Sequence, residues 1–106
     1  MSARPTTARV DHVGAEKPGL IFFFSERSGQ SRRVEGFLAQ VLQRRGNYST
    51  FRLHRIDADK HADFATRFEV TETPALVIVD GGRIRGRVTK PPGCRQIEEL
   101  LAPWLR

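Results

Sequence analysis

Cysteine is nearly absent from this sequence. Cys94 is the only one in 106 residues, so no disulfide forms within the chain, and a core of this size needs none. Histidine is sparse too. His12, His54 and His61, taken with Cys94, show none of the short spacings that hold zinc or haem, so no metal or cofactor is expected. No apolar run approaches the roughly 20 residues needed to cross a bilayer. The opening stretch MSARPTTARVDHVG has neither an apolar segment nor a small-residue cleavage site, and the expected setting is the cytoplasm, with no membrane partner. No G-x-S-x-G motif is present, so a hydrolase built from His54 or His61 and a serine lacks its strained turn. Acid is the scarcer charge, with 12 Asp and Glu against 18 Lys and Arg and a net charge of +6. Such an excess suits an acidic partner or nucleic acid. The arginines are spread along the chain, without an RNP1 motif, a zinc finger or an aromatic-interleaved basic stripe, and nucleic acid is not an expected partner.

What is present reads as one folded domain. The apolar fraction of 39% and charged fraction of 28% are those of a globular chain. Residues 1–18 read as an N-terminal tail with a short strand near residues 8–11, and residues 19–106 as the domain. Leu20, Ile21, Phe22, Phe23 and Phe24 are apolar on both faces, as in a buried central strand. Val34, Phe37, Leu38, Val41 and Leu42 then follow at i, i+3, i+4, i+7 and i+8, a helical stripe. Ser28 or Ser31 caps its start, and Arg44 and Arg45 before Gly46 suit its end. A β-forming stretch over residues 49–57 leads to a short helix bearing Phe64 and Phe68, with Asp59 as the expected N-cap. Ala75, Leu76, Val77, Ile78 and Val79 form a second buried strand. Asp80, Gly81 and Gly82 make a hairpin turn. Arg83, Arg85 and Arg87 alternate with Ile84, Gly86 and Val88, which predicts one charged face guarding an exposed edge strand. After Pro91-Pro92-Gly93, a last helix carries Ile97, Leu100, Leu101 and Trp104 on one side. The order is β-α-β-α-β-β-α.

That order resembles the thioredoxin superfamily from Gly19 onward. The strand ending in Phe24, Ser25, Glu26 and Arg27, followed by Ser28-Gly29-Gln30-Ser31-Arg32, is similar to the family's central strand and Cys-Gly-Pro-Cys-Lys motif. Val70-Thr71-Glu72-Thr73-Pro74 resembles its cis-proline segment, and Asp80-Gly81-Gly82-Arg83 its next turn. The resemblance implies a three-layer α/β/α sandwich on a mixed sheet of four or five strands. It also implies a peptide groove formed by Arg27, Ser28, Gly29, Gln30 and Ser31 with Thr73 and Pro74, in which the residue before the proline pairs its backbone with an extended partner.

The family's chemistry does not carry over. Its first cysteine is a nucleophilic thiolate at a helix N-terminus and its second resolves the mixed disulfide. Ser28 and Ser31 stand at those positions. A helix dipole contributes about 1–2 kcal/mol at most, far too little to make a serine alkoxide near neutral pH. The family's buried acid maps to Phe22 and its tryptophan before the first cysteine to Arg27. An engineered Cys→Ser pair would leave those two positions intact, so their replacement favours a natural loss of the dithiol site. Two functions stay open: a protein- or peptide-binding module without catalysis, and a disulfide oxidoreductase acting through restored cysteines or through Cys94. Cys94 follows Gly93 at a helix start beside Arg95, two features that activate a thiol. Arg27, Arg32 and Arg33 surround the other helix start as a candidate site for an acidic peptide, carboxylate or phosphate, with Glu26 and Glu35 near enough to pair with them.

Overall fold

A computed structural model describes residues 17–106; the strand expected near residues 8–11 lies outside them. Four strands form one sheet in the order β2-β1-β3-β4. Strand β1 (Gly19–Phe24) is central, parallel to β2 (Arg52–Asp57) and antiparallel to β3 (Ala75–Asp80), which pairs antiparallel with β4 (Arg83–Thr89). The two runs that are apolar on both faces are the two inner strands, because each of their faces is covered by helix.

Helices α1 (Gly29–Gln43) and α3 (Cys94–Leu101) cover one face. Val34, Leu38, Val41, Leu42, Ile97 and Leu101 pack there on Leu20, Phe22, Leu76 and Ile78. Helix α2 (Ala62–Arg67) covers the other, where Phe64, Ala65 and Phe68 meet Ile21, Phe23, Val77 and Val79. These are the three layers of a thioredoxin-like sandwich. Gly86 sits opposite Ile78 beneath α3, and a Cβ there would lie 2.9 Å from Leu100 Cδ1, so glycine lets helix and edge strand close up. Trp104 falls just beyond the end of α3 rather than within it, and its Nε1–H donates to Asp80 at 2.9 Å.

The hairpin turn behaves as expected. Gly81 and Gly82 have φ of 63° and 78°, the left-handed pair that a two-residue turn between twisted strands requires. Three other expectations need correction. The β-forming stretch starts at Arg52 rather than residue 49, because Arg44–Ser49 forms a kinked 3-10 segment with Arg45 and Gly46 in the left-handed region. Asn47 organises that corner, buried, donating to the Arg44 carbonyl and accepting from Thr50 Oγ1 and the Arg106 amide.

Asp59 does not cap α2. The helix starts after His61 without a side-chain cap, and the preceding turn is held by Asp57, whose Oδ1 accepts from the amides of Asp59 and Lys60. The arginines of β4 do not share a face. The register slips between Ile78 and Val79, leaving Arg85 unpaired as a bulge. Residues opposite each other in the ladder point the same way. Arg83, opposite Asp80, therefore lies on the α1/α3 side, while Arg87, opposite Val77, lies on the α2 side and pairs with Glu69 at 3.1 Å.

Candidate functional site

Both halves of the expected groove lie at one end of the sheet. Phe23 pairs with Ala75, so the loop leaving β1 and the loop entering β3 start side by side. Antiparallel pairing of the two inner strands is what places them there. The Thr73-Pro74 peptide is cis; Pro74 is buried and Thr73 half-buried, and the Pro74 carbonyl accepts from the Lys90 amide at 2.7 Å.

The serines are tied into the start of α1. Ser28 is the N-cap, with extended backbone, and its Oγ accepts from the Ser31 amide at 3.3 Å. Ser31 is buried, and its Oγ accepts from the Ser25 amide at 3.1 Å. Ser25, also buried, donates its hydroxyl to Asp59 Oδ2 at 2.6 Å and accepts from the Arg27 amide. Three hydroxyls and one carboxylate thus satisfy the turn between β1 and α1. Only the Ser28 cap was legible in the sequence; Asp59, well beyond the turn in sequence, arrives through the parallel β1–β2 pairing and has no local signal.

Replacing Ser31 with alanine would leave the Ser25 amide without a partner in a buried place. The expected cost is about 1–3 kcal/mol, measurable as a lower urea midpoint. No change would mean that water replaces the hydroxyl.

The polar cleft next to these serines is not the expected groove. It has a volume of about 500 Å³ and is lined by Phe24, Ser25, Glu26, Ser28, Ser31, Arg32, Glu35 and Arg55; Thr73 and Pro74 are not in its wall. It opens instead on the β2 side. Of the three arginines read as an anion site, Arg32 lines it, whereas Arg27 and Arg33 are exposed outside it. Glu35 pairs across the cleft with Arg55 at 2.9 Å rather than with any of those three. The Arg55 guanidinium also lies 4.9 Å from the centre of the Phe24 ring, a cation–π contact. Two arginines therefore share the cleft with two glutamates. Sequence reasoning missed Arg55, although its place two residues after Leu53 puts it on the α1 side of β2.

Cys94 lies on the other flank of α1. It is half-buried, with Sγ 3.2 Å from Gln40 Oε1 and 3.7 Å from the Phe37 carbonyl, a thiol donor facing two oxygen acceptors. Arg95 turns toward Glu99, at 4.0 Å.

Comparison with known proteins agrees with this architecture. The family model for thioredoxin matches residues 6–104. No curated protein matches the sequence. Among solved structures, desulfothioredoxin from Desulfovibrio vulgaris Hildenborough superposes with a TM-score of 0.76 at 14% identity, covering 97% of this chain and 93% of its own. A mutant thioredoxin from Halobacterium salinarum gives 0.75 at 17% identity over 93% and 85%. Mitochondrial thioredoxin 3 from Saccharomyces cerevisiae gives 0.71 at 20% identity over 91% and 85%.

Proposed function

The chain belongs to the thioredoxin family, and from that premise we propose that it works as a protein- or peptide-binding module of the cytoplasm without dithiol–disulfide exchange. One observation carries the reading: oxygen stands at both sulfur positions, Ser28 and Ser31. The exchange needs a thiolate to attack a disulfide sulfur and a second thiol to release the product, and neither exists at the start of α1. The neighbouring positions support it. Phe22 is packed in the core where the family keeps an acid, and Arg27 occupies the tryptophan position. The hydroxyls at 25, 28 and 31 already have work to do as caps and bridges, so the turn is stable as it is.

Binding in this reading falls to the exposed residues Arg27, Gly29 and Gln30 together with the backbone of Thr73, which would pair with an extended segment as an added strand. Exposed Arg27 and Arg33 and the net charge of +6 favour an acidic partner.

Two measurements test it on the product of the native gene. Insulin reduction by dithiothreitol should proceed no faster with the protein than without it, and catalysed turnover would return the chain to the oxidoreductases, with Cys94 the first residue to replace. Amide shifts on binding an acidic peptide isolated from captured partners should centre on Gly29, Gln30 and Thr73. Shifts elsewhere, with these three unmoved, would remove the groove.

A further inference from the structure

A second surface lies on the β2 side of β1, away from the Thr73-Pro74 loop. The polar cleft described above adjoins a smaller apolar hollow of about 100 Å³, and Glu35 and Arg55 line both. The two abut at these residues, end to end along one channel that the Glu35–Arg55 pair bridges at its middle. Ser28, Arg32, Glu35, Ala39 and Leu42 recur every three or four residues, so a single stripe of α1 runs along its length. Leu53 and Arg55 alternate onto the same face of β2 and form the facing wall.

The two ends differ in chemistry. At the Ser28 end, Arg32 is exposed and has no ion-pair partner among the described residues, Glu26 is the one acid lining that end, and α1 has no acidic residue in its first turn. The helix start adds its own positive potential. At the Leu42 end the lining is apolar, and Tyr48 and Leu53 are left 49% and 37% exposed. Between them, Arg55 is held by Glu35 across the channel, at a surface where one carboxylate readily replaces another.

We propose that an extended segment of a partner protein lies along this channel. Its acidic side chains meet Arg32 and Arg55, and its bulky apolar side chains cover Tyr48 and Leu53. The stripe from Ser28 to Leu42 is about 21 Å long at ~1.5 Å per residue, which about six extended residues at ~3.3 Å each would span. An incoming carboxylate must take Arg55 from Glu35 and approach Arg32 past Glu26, so both glutamates work against binding. This surface shares Ser28 and Ser31 with the Thr73-Pro74 groove but runs from them toward β2 instead of toward Thr73 and Pro74, and either can fail without the other.

The test uses the full chain and fluorescein-labelled octapeptides in which three Asp or Glu residues and three Leu or Phe residues occupy opposite ends, made in both orders, with binding followed by polarisation. One order should bind. Leu53→Asp should weaken it about tenfold, and Arg32→Glu about fivefold. Glu35→Gln should tighten it about threefold, a gain that misfolding does not produce. Arg85→Glu, the same charge change on the far edge strand, should leave it unchanged. The proposal falls if neither order binds, if an acid-only peptide binds as well as the mixed one, if Arg85→Glu weakens binding as much as Arg32→Glu, or if Glu35→Gln gives no gain.

Discussion

A Ser28→Cys/Ser31→Cys variant is expected to close a disulfide at the start of α1 and still to reduce insulin about a hundredfold more slowly than a thioredoxin assayed beside it. The first half of that expectation rests on the cap. The Ser31 amide already donates to Ser28 Oγ, and a thiolate at position 28 would receive the same hydrogen bond together with the field of the helix. The second half rests on Phe22. The family's acid at that place assists proton transfer, a role generally worth about 10²–10⁴-fold, whereas the phenyl ring here is 1% exposed in a cluster of Leu20, Val34 and Leu76. Stopped assays against insulin, with the disulfide scored by thiol titration, separate the halves. Turnover at the full thioredoxin rate would show that the accessory positions are dispensable and would take away the argument that they mark a natural loss of chemistry.

Phe68→Ala should have the largest effect on stability, about 3–5 kcal/mol, out of a total for such a domain of about 5–15 kcal/mol. Phe68 is fully buried, with its ring 5.8 Å from that of Phe23 and 5.2 Å from that of Phe64. Helix α2 has six residues and no side-chain cap, too few to persist without tertiary contacts. Phe64 and Phe68 are what fasten it to the sheet, so truncation leaves a cavity and loosens the helix together. Urea unfolding measures both, a lower midpoint for stability and a changed slope for any surface already exposed in the native state. A loss below about 1 kcal/mol would mean that the layer closes over the gap, contrary to the usual cost of such cavities.

The inner strands were the most legible part of this sequence, since apolar runs such as those over residues 20–24 and 75–79 have no other comfortable place than between two helical layers. The stripe of α1 and the Gly81-Gly82 turn were legible for the same reason: local periodicity and local backbone freedom suffice to specify them. What the sequence hid depends on pairing between distant segments. Asp59 looks like a helix cap because it precedes a helix, and only the parallel alignment of β1 with β2 brings its carboxylate to Ser25 instead. Arg55 reads as one more surface cation until the same alignment sets it over Phe24 and against Glu35. The expected single charged face of β4 failed because one unpaired residue reverses the alternation beyond it, and nothing in the string from Arg83 to Thr89 marks where that residue falls.

That unpaired residue has a bearing on how copies of the molecule behave at high concentration. A foreign chain laid along β4 would find its donors and acceptors in step for at most a few residues on either side of Arg85, and it would have to strip water from the guanidinium there. Growth of the sheet from molecule to molecule, the route by which soluble proteins turn into fibrils, is blocked on this side by the same local slip that scattered the arginines over two faces.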